Sequence, residues 1–184
     1  DEDVALELAQ QYRADGNYTK AEVSLSKAIS ASPSVELYTA LCRTFVEQDK
    51  LMDAVTLLAN IPDQAIRAQL EAARPTAPTP SQAPGFYNTY ANIELSSSSG
   101  TIYYTTDGEY PSVNASSYTA PIKLPLGETV IYCISVDESG LVSTPSVLAY
   151  TVGGVVEPAI FMDADVEFAL RDQLGMTRTE VLYT

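Results

Sequence analysis

The stretch LAQQYRADGNYTKAEVSLSKA, residues 8–28, recurs in the same register as LCRTFVEQDKLMDAVTLLANI, residues 41–61. A repeat of this length is typical of helix pairs that stack into a solenoid. Residues 1–74 are therefore predicted to form a small α-solenoid. Eight positions keep like chemistry between the copies: Leu8/Leu41, Ala9/Cys42, Tyr12/Phe45, Gly16/Asp49, Tyr18/Leu51, Ala21/Ala54, Leu25/Leu58 and Ala28/Ile61.

Turn signals divide this region into five helices. Residues 15–17 and 48–50 separate the two helices of each pair, and residues 32–34 separate the pairs. Pro62 is expected to end the fourth helix, and Asp63 to cap a fifth that runs to about residue 73.

The first copy resembles a tetratricopeptide repeat in the spacing of nine residues: Leu8, Ala9, Tyr12, Gly16, Tyr18, Ala21, Leu25, Ala28 and Pro33. The second copy matches less closely, because Cys42 replaces the small Ala9 and Asp49 takes the position of Gly16. The resemblance implies a concave face, built by the first helix of each pair, that binds a peptide or protein partner. The alternative is a purely structural stack. The residues expected on this face are Glu7, Gln10, Gln11, Glu36, Tyr38, Thr39 and Arg43.

A change of composition follows the helical region. Residues 74–85, RPTAPTPSQAPG, contain four prolines and no large apolar residue, which predicts a stiff, extended linker over 75–85 that holds two modules apart. From residue 86 to 152 the apolar residues alternate with polar ones in short runs between glycine-containing turns. This pattern predicts a small antiparallel β-sandwich.

The β-region also resembles a known module. The runs GTIYYTTDGEYPS (100–112), SYTAPIKLP (117–125) and ETVIYCISVDESGLVS (128–143) are similar to the chitobiase/β-hexosaminidase C-terminal-like module, over roughly residues 84–152. The resemblance implies a fibronectin-like accessory sandwich of bacterial secreted and surface proteins. It does not imply glycosidase activity, since the chemistry of those enzymes resides in another domain.

The last segment, residues 153–184, begins with two glycines and is predicted to contain a short helix at about 165–174. Its sequence FMDADVEFALRDQLG, residues 161–175, resembles the cap that precedes leucine-rich repeats in some Gram-positive surface proteins. Asp163, Asp165 and Glu167 alternate, but they lack the glycine and the distant carboxylate of a calcium loop, so Asp165 is interpreted as a helix cap.

Twelve tyrosines and no tryptophan raise the question of sugar binding, because aromatic rings stack on the C–H faces of pyranoses. Tyr104 and Tyr110, on either side of the turn at Asp107 and Gly108, are the candidates for glycan contact. The alternative is that the tyrosines pack in the core or lie along strands, where this residue is favoured.

Catalysis is not expected. The chain has no histidine, and the close carboxylate pair of the sandwich, Asp107 and Glu109, has neither a nucleophile nor an oxyanion hole nearby in sequence. No cofactor is predicted. Cys42 and Cys133 lie in regions of opposite secondary structure, which favours two buried free thiols over a disulfide between them.

The net charge of −14 is distributed over the whole chain, so nucleic acid and anionic membrane surfaces are poor partners. No apolar run approaches the roughly 18 residues of a membrane span. Because the chain opens on Asp1 rather than Met, we expect a mature or excised piece, and the sequence leaves the loss of a signal or anchor open.

These observations predict an α-plus-β, multidomain chain: an α-solenoid over 1–74, a linker over 75–85, a β-sandwich over 86–152 and a strand–helix tail over 153–184. The predicted function is a non-enzymatic protein-interaction scaffold of a bacterial exported or cell-surface protein, with the sandwich as a spacer. The alternative is a carbohydrate-binding accessory module.

Overall fold

A computed structural model describes residues 1–114 and 116–154, together with Arg171 and Leu174, which both lie in helical conformation. The expectations for Asp163, Asp165, Glu167 and the leucine-rich-repeat cap fall outside the described residues. The described part has helices first and strands after them, which confirms the α-plus-β architecture. The helices are α1 (Glu2–Ala14), α2 (Tyr18–Ala31), α3 (Val35–Glu47), α4 (Leu51–Ala59) and α5 (Gln64–Ala73). The strands are β1 (Thr79–Pro80), β2 (Gly85–Tyr87), β3 (Asn92–Ile93), β4 (Leu95–Ser96), β5 (Thr101–Thr105), β6 (Ser116–Ser117), β7 (Ile122–Lys123), β8 (Gly127–Val136) and β9 (Ser146–Val152).

The helix boundaries follow from capping and turn chemistry. Asn17, Ser34 and Asp63 each precede a helix and accept hydrogen bonds from its first backbone N–H groups. Both turns within the pairs contain a left-handed residue at the same repeat position, Gly16 with φ 70° and Asp49 with φ 62°. Asp49 is the single non-glycine residue among the described ones that adopts a positive φ. The repeat therefore reproduces a backbone geometry as well as an apolar pattern.

Small residues bring the first helices close together. Ala5, Ala9 and Ala21 are buried beside Leu25, and α3 adds Leu37 and Leu41 to the same cluster. Alanine at these positions lets helix backbones approach, while leucine fills the space between the pairs. The helical region thus has its own apolar core.

The strands form a five-stranded sheet with the order β2-β9-β8-β5-β6 and two short pairs, β1-β4 and β3-β7. One face of the large sheet packs on these short pairs. Its core includes Ile93, Leu124, Ile131, Cys133 and Leu148. Because side chains alternate along a strand, the intervening residues of β8 point to the opposite face of the sheet.

The proline-rich segment is part of the sandwich. Thr79–Pro80 pairs antiparallel with Leu95–Ser96, and the Ser146 hydroxyl donates a hydrogen bond of 2.7 Å to the Pro78 carbonyl oxygen. Proline is tolerated here because β1 is a short edge strand. The expectation of a stiff, extended linker between two modules was therefore wrong, since residues 78–80 have strand and side-chain partners in the sandwich.

The outer face of the large sheet packs on the helices. A single apolar cluster joins Tyr38, Cys42 and Leu70 of the helices to Ile134 and Val136 of β8. Burial of apolar side chains from both regions in one cluster opposes their separation. The helical region and the sandwich are consequently in direct contact, and the expectation that they are held apart was also wrong.

The two departures of the second repeat from the first lie at this junction. The Cys42 thiol, in place of Ala9, donates a hydrogen bond of 3.2 Å to the Gly140 carbonyl oxygen. The Asp49 carboxylate, in place of Gly16, accepts hydrogen bonds from the Val113 N–H at 2.6 Å and from Asn114 Nδ2 at 3.0 Å. Both residues that weaken the repeat match therefore contact the sandwich.

Gly140 tests how tightly the junction is packed. A Cβ atom at this position would lie 2.6 Å from Arg43 Cβ and 2.7 Å from Arg43 Cα. Gly140→Ala should therefore force α3 away from the sheet. Gly108→Ala is a matched control, because Gly108 has nearly the same positive φ as Gly140 and nothing lies within 4 Å of its added Cβ.

We expect Gly108→Ala to lower the free energy of unfolding by about 1 kcal/mol, through backbone strain alone. Gly140→Ala should cost roughly 1–3 kcal/mol more, the usual range for overpacking. Urea unfolding followed by circular dichroism measures both values. Equal losses for the two variants would contradict a close-packed junction.

Candidate functional site

The residues predicted for the concave helical face do not form one open surface. Glu7, Gln10, Gln11, Glu36 and Arg43 are exposed, and Thr39 is half-buried with its hydroxyl donating to the Val35 carbonyl oxygen. Tyr38 is only 6% exposed, inside the cluster shared with the sandwich. Its expected place on an exposed surface was wrong, because it belongs to an apolar cluster in which α4, α5 and β8 also take part, and it lines the groove between α2 and α4.

A groove lies on another side of the helical region. It has a volume of about 550 Å³ and runs between α2 and α4, with α3 as its floor. The apolar lining consists of Tyr38, Leu41 and Phe45 of α3, Ile29 of α2 and Leu57 of α4. Polar residues line it on both sides: Glu22, Ser26 and Ser30 on α2, and Asp53, Thr56 and Asn60 on α4.

One end of the groove is held by an ion pair. Lys50 Nζ lies 2.8 Å from Glu22 Oε1, and Gln48 Nε2 donates a hydrogen bond to the same oxygen. Burial favours the neutral form of Glu22, but these two hydrogen bonds outweigh it and lower the pKa of the carboxyl group below its ordinary value. Glu22 is therefore a charged, already paired residue at neutral pH. Asp53 is the other carboxylate of the lining.

The sequence contained a signal for this groove that the repeat resemblance obscured. Glu22, Ser26 and Ser30 recur every four residues along α2, and Asp53, Thr56 and Asn60 follow a similar spacing on α4. Two polar stripes of this kind, each beside an apolar stripe, indicate helices that border a solvent-exposed groove. Of the seven residues predicted on the first helices, Tyr38 lines this groove and the other six do not.

The two tyrosines predicted for glycan contact lie on opposite faces of the sheet. Tyr104 pairs with Cys133 in the β5–β8 register, so it faces the sandwich core, where its ring meets Tyr118 edge-on at 6.3 Å. Tyr104 is half-buried and lines a hollow of about 390 Å³ together with Pro121 and Lys123, so its contact with a glycan stays a prediction. Tyr110 is 56% exposed and meets the Tyr132 ring edge-on at 5.4 Å.

An apolar patch surrounds Tyr110. Tyr132 pairs with Val147 of β9, whose side chain is 55% exposed. Tyr132 alternates with the buried Cys133 and Ile131, so it lies on the outer face of the sheet, the same face that packs on the helices further along β8. Tyr110, Tyr132 and Val147 form the patch that we call the outer-sheet patch.

A second hollow opens at the junction itself. It has a volume of about 740 Å³ and lies between the end of α3 and the turn that follows β8. Arg43 on one wall forms an ion pair of 3.0 Å with Glu47, while Asp137 on the other accepts hydrogen bonds from the N–H groups of Ser139 and Leu141. The charged groups of Arg43 and Asp137 in this hollow thus already have partners within the chain.

The described residues offer little for metal or thiol chemistry. Over 1–114 and 116–154, together with Arg171 and Leu174, no three His, Cys, Asp or Glu side chains are grouped so as to hold a metal ion. The Asp107 carboxylate accepts a hydrogen bond from the Glu109 N–H, as a turn residue does. Cys42 and Cys133 are free and buried, and burial raises the pKa of each thiol to about 12.

Within the described helices, none combines the length and the apolarity that a membrane crossing requires.

The structure thus defines a helical-repeat region packed on a β-sandwich, with a groove and an apolar sheet patch as its open surfaces. Residues 82–147 match the family model of the chitobiase/β-hexosaminidase C-terminal domain, a little over a third of the chain. This match supports the resemblance stated for the β-region and concerns an accessory domain rather than a catalytic one. The relationship of the helices to tetratricopeptide repeats remains a prediction.

A solved structure of fibronectin(III)-like modules of Clostridium thermocellum CbhA is similar to part of this chain. The sequence identity is 18%, the similarity covers 42% of this chain and 94% of that chain, and the TM-score is 0.30. Among curated proteins, none matches this chain.

The two buried thiols give a direct test of the packing around them. Because a thiol with a pKa near 12 is neutral at any ordinary pH, almost no thiolate is present to react. We expect native protein in mildly alkaline buffer to react with Ellman's reagent at a negligible rate, and both thiols to react in guanidinium chloride. Fast reaction of one native thiol would show that its surroundings open readily.

Proposed function

We propose that this chain is a non-enzymatic, modular interaction scaffold of a bacterial exported or cell-envelope protein, and that its helical region binds a peptide or protein partner. The groove between α2 and α4 carries the proposal. It combines an apolar floor with hydrogen-bonding rims, the composition that suits a peptide with alternating apolar and polar side chains. The sandwich acts in this proposal as a brace for the helices rather than as a spacer.

Two features support a groove that exists before the partner binds. Leu41 and Phe45 belong to, or pack against, the core of the helical region, so the floor is held by the interior packing. The adjacent side of α3 is fixed by the sandwich through Cys42 and its neighbours. A preformed groove lowers the ordering cost of association.

Charge indicates the partner's chemistry. The chain has a net charge of −14, and Asp53 provides a carboxylate on the α4 rim of the groove. Complementary potentials accelerate association and favour partners of the opposite sign. The proposed ligand is therefore a peptide that carries apolar side chains for the floor and at least one lysine or arginine for the rim.

A bulky substitution on the α2 rim distinguishes binding in the groove from binding elsewhere on the surface. Ser26 is exposed and lines the groove, whereas its neighbour Lys27 is exposed on α2 outside the lining. Ser26→Trp should fill the groove, and Lys27→Trp should leave it open with the same bulk added to the same helix. Peptides are selected by phage display on the immobilised full chain, and their affinities are measured by fluorescence anisotropy.

For selected peptides of the proposed composition, we expect Ser26→Trp to weaken binding at least about tenfold, a loss of roughly 1.4 kcal/mol, and Lys27→Trp to change it little. Circular dichroism confirms that both variants are folded. Peptides that bind both variants equally, or a selection without any groove-dependent binder, would count against the proposal.

A second candidate function, a carbohydrate-binding accessory module, is favoured by the outer-sheet patch. Tyr110 presents an exposed ring edge-on to Tyr132, and Val147 extends the apolar surface beside it. Rings exposed on a sheet can stack on the C–H face of a sugar. The match of residues 82–147 to a domain of chitobiases and hexosaminidases suggests oligomers of N-acetylglucosamine as the first ligands to try.

Removal of the Tyr110 ring tests this second function. Tyr90 provides the control, since it is 43% exposed and lies in the loop between β2 and β3, away from the outer-sheet patch. If sugars stack on the patch, Tyr110→Ala should reduce the affinity for chitin oligosaccharides about five- to tenfold, and Tyr90→Ala should leave it unchanged. Isothermal titration calorimetry measures both affinities. An absence of binding heat with the unmodified chain would contradict this second function.

A further inference from the structure

The outer side of α1 and α2 exposes several apolar side chains. Val4 is 52% exposed, Leu8 is 38% exposed and Val23 is 64% exposed, and Tyr12 lies half-buried beside them. A shallow hollow of about 270 Å³ lies between Leu8, Tyr12 and Val23. We call these four residues the N-terminal face. An apolar cluster of this kind on a solvent-facing surface needs an explanation.

The second repeat shows what the same positions do when they are covered. The counterparts of Val4, Leu8 and Tyr12 in the second repeat are Leu37, Leu41 and Phe45. Leu37 and Leu41 are 1% and 5% exposed, and they pack in one cluster with the small residues and Leu25 of the first pair. The apolar character that the second repeat uses against α2 is thus retained in the first repeat, where no helix lies against it among the described residues.

The hollows repeat in the same way. Five of the six residues that line the small hollow have counterparts in the groove between α2 and α4: Leu8/Leu41, Tyr12/Phe45, Lys20/Asp53, Val23/Thr56 and Ser24/Leu57. The groove has an additional wall, which α2 provides through Glu22, Ser26, Ile29 and Ser30. The N-terminal hollow is therefore one half of a groove, and the missing half is a helix in the position that α2 takes relative to α3.

We propose that the N-terminal face binds one α-helix of the α2 type, supplied by a further helix pair of the same repeat pattern. The required helix has the spacing of Ala21, Leu25 and Ala28, with small residues on each side of a leucine. A second copy of this chain cannot supply that stripe, because its own α2 is covered by α3. Docking of the helix would also complete a second groove beside the first.

Geometry at the start of α1 fits such a neighbour. Asp1 directly precedes α1 and Ser34 directly precedes α3, and the two occupy the same position in their repeats. A copy of residues 1–33 placed directly before Asp1 would therefore deliver a second α2 to the N-terminal face, by the same connection that joins α2 to α3. The resulting chain retains every residue of the present one.

The test compares this extended chain with two charge variants of its original α1. Leu8→Glu places a carboxylate in the N-terminal face. Gln10→Glu adds the same charge on a different side of α1, at the position equivalent to Arg43 of the junction. Hydrogen exchange read by mass spectrometry reports the protection of the added residues, and circular dichroism reports the added helix. The unextended chain with Leu8→Glu is measured beside them as a folding control.

We expect the added helices to be protected at least about tenfold over unfolded chain in the extended protein and in its Gln10→Glu variant, and unprotected in its Leu8→Glu variant. Unprotected added residues in the unmodified extension, or protection that Leu8→Glu leaves intact, would overturn the proposal. A dimer of the unextended chain that Leu8→Glu dissociates would also overturn it, since a second copy would then cover the face. These readouts do not involve the α2–α4 groove, so they are independent of the peptide-binding proposal.

Discussion

The contact between α3 and the turn that follows β8 is the constraint on which the rest of the structure depends. Gly140 approaches Arg43 so closely that a methyl group has no room, and the Cys42 thiol donates to the Gly140 carbonyl oxygen beside it. Around this contact, side chains of the helices and of β8 are buried in one cluster. Because interiors are close-packed, a displacement of the turn would have to displace α3 as well.

Apolar packing, rather than ion pairs, holds this junction. The four salt bridges found among the described residues each have both partners within the helices or the segment that directly follows them. Across the junction the polar contacts are hydrogen bonds, and those of Asp49 to Val113 and Asn114 use a carboxylate, which makes them stronger than neutral ones. An acidic chain thereby joins two regions without requiring opposite charges on them.

The junction also determines which surfaces of the two regions stay exposed. It covers the side of α3 that carries Cys42, and it leaves the α2–α4 groove and the outer-sheet patch exposed on the two regions. A ligand on the patch and a peptide in the groove would consequently be held at a fixed separation. This arrangement differs from two modules on a flexible tether, whose relative position is set by the length and stiffness of the linker.

The sequence by itself determined the local structure, because local structure depends on interactions between near neighbours. Helix caps at Asn17, Ser34 and Asp63, left-handed turns at Gly16 and Asp49, and the alternation along β8 are each encoded within a short stretch of chain. Only the tertiary structure decided which surfaces remain open. That Tyr38 is buried, that Tyr104 faces the core and that Thr79–Pro80 forms an edge strand all depend on parts of the chain that are distant in sequence. Cys42 and Asp49 show the difference most directly. In the sequence they are only departures from the repeat pattern. In the folded chain they form hydrogen bonds with Gly140 and Val113, which are distant in sequence.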